Sequence, residues 1–217
     1  MTNPQTVIGI DVGGDRKGFH AVSLRGGQIV GKKADRDPIA IVKWCLENEA
    51  RVVAVDAPCR WSADRKSRAA ERAINGQGLH CYYTPTRELA TGRNFYQWVF
   101  NGERLYRALE QHYPQFSGQW GESHVCMETF PHAIVCALEG RVVPAQPKNA
   151  TRRRVLRNRG YDDACLTCID FVDAALCAVA ADAFRKGHLR AYGDGREGYI
   201  VAPKNRAPSE KENVGNI

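Results

Sequence analysis

The chain has 217 residues, 43% of them hydrophobic and 25% charged, with a net charge of +7. This composition suits one compact globular domain and excludes a disordered, fibrous or low-complexity chain. No apolar run reaches the roughly 20 residues of a membrane helix, and Met1 to Gln5 carry no signal-peptide pattern, so a cytoplasmic protein with no membrane partner is expected.

Thr6–Val12 (TVIGIDV) is a continuous apolar run with Asp11 near its end, the pattern of a strand buried on both faces. Gly13-Gly14 turns the chain into two further strands, Gly18–Leu24 and Gln28–Ala34, joined by Arg25-Gly26-Gly27. Three strands on short turns form an antiparallel meander. Pro38 opens a helix running to about Glu49, with Ile39, Val42 and Leu46 on one face. Val52–Asp56 (VVAVD) is a second buried strand ending in an acid. A charged helix follows near Asp64–Ile74, then an irregular stretch over Asn75–Gly92 and a longer helix over Asn94–Tyr113. Val125–Thr129 (VCMET) is a further strand, carrying Glu128 and stopped by Pro131. Lys148–Arg159 reads as a very basic helix. Asp163 is placed as the cap of a last long helix, Ala164–Lys186, which Gly187 ends. Gly198–Ala202 is a short strand, and the polar tail 204–217 is expected to be disordered.

These elements predict an α/β fold. Its mixed five-stranded central sheet combines the three-strand meander with two parallel strands, and helices lie on both faces. A single domain over 1–203 carries a helical and loop insertion around 75–120.

Ligands of such sheets bind beyond the carboxyl ends of parallel strands. Asp11, Asp56 and Glu128 lie at that end of three separate strands, where unpaired carboxylates are costly to bury and call for a cation. On the last helix Asp170 and Asp173 stand three residues apart, placing them on one face, where like charges destabilise. Oxygen ligands without a histidine cluster favour Mg²⁺ or Mn²⁺ over zinc. Two such ions activate water and stabilise the leaving oxygen in phosphodiester hydrolysis. The expected metal ligands are Asp11, bridging both ions, with Asp56, Asp170 and Asp173; Glu128 helps to orient the site. Lys148, Arg152, Arg153, Arg154 and Arg68 are the expected contacts to nucleic-acid phosphates, DNA or RNA. Tyr82 and Tyr83 are candidates for stacking bases, whereas Trp98 and Trp120 are expected to pack. The eight cysteines include one CxxC, Cys165 and Cys168, with no second pair, so buried thiols are expected rather than zinc.

The segments IGIDVGG–KGFHAV, VVAVDAP, METFPHAIVCAL and IDFVDAALCAVAA resemble an uncharacterised predicted-nuclease family, domain of unknown function 429. The motifs VDAP at Val55–Pro58 and ETFP at Glu128–Pro131 carry most of the resemblance, which runs collinearly from about Thr6 to Pro203. It implies an RNase H-like fold. The arrangement is also similar to RuvC-type Holliday-junction resolvases, and by position this implies metal-binding roles for Asp11, Asp56, Asp170 and Asp173. Those enzymes usually carry Glu where this chain has Asp56, and they have no counterpart of Asn75–Gln119. Two other readings stay open. Gly9, Gly13 and Gly14 look like the first phosphate loop of actin-like small-molecule kinases, which need two such domains. A non-catalytic nucleic-acid-binding or scaffold protein could keep the fold.

Overall fold

The structure, a computed structural model, describes residues 4–64, 66–121 and 124–204; the tail expected to be disordered falls, but for its first residue, outside them. The sheet has seven strands in the order β3-β2-β1-β4-β5-β7-β6. The expected meander is β1 (Thr6–Val12), β2 (Phe19–Arg25) and β3 (Gln28–Asp35), paired antiparallel. Gly26 and Gly27, both at positive φ (58° and 79°), make the turn between β2 and β3, a conformation glycine adopts without penalty. β4 (Val52–Asp56) lies parallel to β1, and β5 (Val125–Glu128) parallel to β4.

Seven strands replace the five expected. The last two, β6 (Leu189–Asp194) and β7 (Gly198–Pro203), form an antiparallel hairpin whose second strand runs parallel beside β5. β6 is missed by hydrophobic pattern because Arg190, Gly193 and Asp194 break it at the sheet edge, where pairing on one side alone tolerates polar residues.

Side-chain alternation along β1 sets the two faces. Val7 packs into one core with Val52 and Ala54 of β4; Ile8, Ile10 and Val12 pack into the other with Val53 and Val55. The second core is closed by α1 (Pro38–Glu47) and α4 (Gln97–Leu109), through Ile41, Val42 and Cys45 against Leu105, Tyr106 and Leu109. The stretch anticipated as an insertion thus supplies, with α1, the cover of one sheet face. It also contains α3 (Arg87–Ala90) and a short 3-10 turn, Asn94–Tyr96. The charged helix expected from Asp64 is shorter, α2 (Ala69–Asn75). α5 (Pro131–Glu139) is a helix that the sequence reading left out: Pro131 both stops β5 and takes the first helical position, where its missing N–H costs nothing.

The first core is closed by α7 (Ile169–Arg185), with α5 and α6 (Lys148–Asn158) beside it. α7 starts five residues later than expected. Cys168 is its N-cap residue, and Asp163 instead takes Arg153 and Arg157 as partners. Five of its twelve buried residues are alanine (Ala174, Ala175, Ala178, Ala180, Ala181), and it lies directly on β1. A Cβ at Gly9 would stand 2.1 Å from Ala174 O and from Ala178 N, so only glycine lets the helix backbone approach this far. No helix among the described residues is long and apolar enough to cross a membrane.

Gly9→Ala is therefore expected to destabilise the protein by at least the upper end of the usual overpacking penalty, about 3 kcal/mol. Urea unfolding of the two proteins checks this; an equal midpoint would show that α7 can lift off β1 at little cost.

Candidate metal centre

The two-residue period of the strands brings two acids together. Val7, Gly9 and Asp11 face α7, as do Val52, Ala54 and Asp56, and Asp11 stands directly beside Asp56 in the parallel register. Asp173 precedes the alanine that rests on Gly9, so the close helix contact delivers its carboxylate to the same place. Oxygens of Asp11, Asp56 and Asp173 lie within 4.8 Å of one another. Asp173 is 1% exposed, while Asp11 and Asp56 keep part of their surface.

Two cations serve this trio, and both come from one face of α6. Lys148 and Arg152, four residues apart, turn inward: Lys148 Nζ lies 2.8 Å from Asp173 Oδ2, and Arg152 Nη1 donates to Asp173 Oδ1. Asp11 and Asp56 form no side-chain hydrogen bond or ion pair among the described residues. Burial pushes the Asp11 carboxyl well above its ordinary value, and Asp56, Asp173 and Asp170 add to this, with Lys148 opposing. Asp56 is pushed up to about 7, first by burial and then by Asp173, against Arg152 and Lys148. Three converging carboxylates, two of them unpaired, fit a hard divalent cation of oxygen preference.

The other two acids expected at the centre stand elsewhere. At 100° per residue, three residues leave Asp170 about 60° around the helix from Asp173. Asp170 sits in the first turn of α7, and Lys17 holds it through both oxygens at 2.9 and 3.0 Å. It forms a second group with His20 and Cys168, again within 4.8 Å. Glu128 pairs in register with Val55 rather than Asp56, so alternation turns it away from the trio. There Arg68, wholly buried, grips it with Nη1 at 2.7 Å and Nη2 at 2.5 Å, and Cys59 N–H donates at 2.8 Å. Arg68 Nε also reaches Glu71 at 2.8 Å.

The residues expected to meet phosphate are all ion-paired. Besides Lys148, Arg152 and Arg68, Arg153 bonds Asp163 at 2.9 Å and Arg154 bonds Glu139 at 3.3 Å. All eight cysteines are free thiols. Sequence reasoning missed Lys17 and His20, on the β1–β2 turn and β2, although Lys17 lies only six residues after Asp11. It also missed that Lys148 and Arg152 share a helix face, which their spacing of four encodes.

A family model described as a protein of unknown function, DUF429, matches residues 9–197. No curated protein and no solved structure matches the chain.

Two outcomes follow. A carboxyl whose pKa is higher folded than unfolded favours the native state when protonated, and this stabilisation is lost as pH rises from the ordinary value to the folded one. Asp56→Asn removes the group, so it should stabilise the metal-free protein progressively from about pH 4 to about 7, levelling off above; melting of both proteins across that range reads the difference. Glu128→Gln breaks a buried ion pair and should cost about 3–5 kcal/mol, while Mn²⁺ affinity stays within about twofold by calorimetry. A large loss of Mn²⁺ binding without destabilisation would instead place Glu128 among the ligands.

Proposed function

The chain belongs to the DUF429 family, and from the geometry of its acids we propose that it is a Mg²⁺- or Mn²⁺-dependent nuclease that hydrolyses phosphodiester bonds. The observation that carries this reading is the Asp11–Asp56–Asp173 trio, three carboxylates from two strands and a helix within 4.8 Å. The five-strand portion β3-β2-β1-β4-β5 has the composition expected of an RNase H-like fold, which supports the same reading. The turn after β1 is spent on itself: Gly13 N–H donates to Gly18 O, and Lys17 and Gly18 N–H donate to Gly14 O. These groups are not offered to a nucleotide phosphate, which favours a hydrolase over a kinase.

Asp11, Asp56 and Asp173 would hold one ion, and Asp170 would help to hold a second were Lys17 to give it up. When bound, the ions supply an activated water and stabilise charge on the leaving oxygen. The side chains of the protein do the rest. Asp173, fixed by Lys148 and Arg152, keeps the helix acid in place against the strand acids. Lys148, paired with Asp173 but with its side chain 42% exposed, would also meet a phosphate oxygen at the mouth of the centre. In hydrolysis the water oxygen bonds to phosphorus, the ester P–O bond breaks, and a proton passes to the departing oxygen.

Labelled single-stranded, duplex, hybrid and branched nucleic acids incubated with Mg²⁺ or Mn²⁺ test the reading. Cleavage should vanish with chelator and fall at least about 100-fold in Asp11→Asn, since even partners one shell removed from a metal cost 10–100-fold. Cutting that persists in Asp11→Asn, or that ignores chelator, would falsify the assignment.

A further inference from the structure

A cavity of about 510 Å³ opens beside the trio, within the range of about 300–1,000 Å³ that small-molecule sites occupy. Asp56, Lys148 and Arg152 line it: the first belongs to the carboxylate trio, and the other two are the cations paired with Asp173. The cavity and the acids are therefore one continuous site. Part of its wall is an aromatic group, His80, Tyr82, Phe95 and Trp98; the Arg68–Glu128 pair, whose charges neutralise each other, also lines it. Tyr82 is 63% exposed and Phe95 56%, although rings of this size are ordinarily covered. They meet edge to face at 5.7 Å, and His80 meets Tyr82 the same way at 5.7 Å, so the rings hold one another in place with surface left uncovered.

We propose that this cavity takes one nucleoside monophosphate unit, with its phosphate at Lys148 and Arg152 beside the carboxylates and its base against Tyr82, Phe95 and Trp98. The inference rests on the nuclease reading and narrows its substrate. Cations at one end and open aromatic surface at the other match a group anionic at one end and flat at the other. A sugar phosphate or a phosphorylated side chain would satisfy the cations and leave the rings uncovered. A base inside a duplex already has both faces covered by its neighbours, so the nucleotide that stacks on these rings must be unpaired or at a strand end, as for other enzymes that draw a single base out of the stack.

Calorimetry on the full chain with Mg²⁺ compares adenosine 5′-monophosphate with ribose 5-phosphate. Stacking of one base on aromatic side chains should give adenosine 5′-monophosphate a preference of roughly 5- to 150-fold. Tyr82→Ala and Phe95→Ala, both at exposed positions and so compatible with folding, should shrink that ratio, whereas Lys148→Met should weaken both probes. Oligonucleotides with an unpaired overhang, set against blunt duplex, separate the two sources. Overhang binding displaced by adenosine 5′-monophosphate assigns the cavity to strand ends, and nucleotide binding that overhangs do not displace assigns it to free nucleotides. Equal affinity for the two probes, or a ratio untouched by both ring variants, overturns the proposal. If Mn²⁺ binds while no base preference exists, the pocket alone is wrong. A base preference without Mn²⁺ binding removes the metal centre and leaves the pocket standing.

Discussion

Everything at the acidic end of this sheet depends on how closely α7 lies on β1. A helix and a sheet normally stand off by the thickness of their side chains. Here Gly9 removes the side chain on the strand, alanines thin the layer on the helix, and Ala174 and Ala178 backbone atoms occupy the space a Cβ would need. The gain is positional. Asp173 is the neighbour of Ala174, so the contact that seats the helix also fixes the helical acid beside Asp11 and Asp56. A helix held farther off would leave Asp173 beyond the reach of the strand acids. The repulsion of three carboxylates is then offset by α6, which is packed against α7 and turns Lys148 and Arg152 onto Asp173.

A second ionic structure locks the neighbouring strand. Arg68 stands between Glu128 at the end of β5 and Glu71 of α2, with all three side chains at most 4% exposed. Glu71 also accepts from Thr84 N–H at 2.9 Å, and Glu128 from Cys59 N–H at 2.8 Å. Removing any one partner strands a buried charge, which is far more costly than an exposed ion pair is stabilising. The network ties the segment after β4, the first turn of α2 and the irregular stretch before α3 to the end of β5. That segment and stretch include Pro58, His80, Cys81 and Tyr82, so the aromatic wall of the cavity stands on this clamp.

The strands that carry the site were legible because their chemistry is local. The apolar runs ending in Asp11, Asp56 and Glu128 are set by burial on both faces, and this alone places each acid at a strand end. Register is not local. Whether Glu128 faces with Asp56 or against it depends on pairing with Val55, and a shift of one residue would reverse it. The same holds on the helix, where a spacing of three reads as one face but leaves about 60° between Asp170 and Asp173, enough to send them to separate neighbours. The partners of the basic residues were hidden for a related reason. A run such as Arg152-Arg153-Arg154 announces its charge, but the acids it meets, Asp173, Asp163 and Glu139, come from elsewhere in the chain and only the fold pairs them. β7 was legible as a strand, but β6 escaped because an edge strand needs little hydrophobic pattern.

Charge at the centre also constrains the direction of approach. Three carboxylates face two cations, and burial together with the neighbouring acids raises the Asp11 carboxyl. With all three carboxylates ionised, a bound divalent ion would leave the set one unit positive, the charge that a single phosphodiester balances. Asp173 is sealed beneath α6 and α7, whereas Asp56, Lys148 and Arg152 line the cavity. An anionic group entering from that side therefore meets both cations at the carboxylates, and the rings at Tyr82 and Phe95 stand along the same wall. Because the cations that neutralise the acids are also the ones a phosphate would meet, ion binding and phosphate binding draw on the same charges. Asp173 would be shared between an ion and Lys148, so an ion held there would leave that lysine more available to a phosphate.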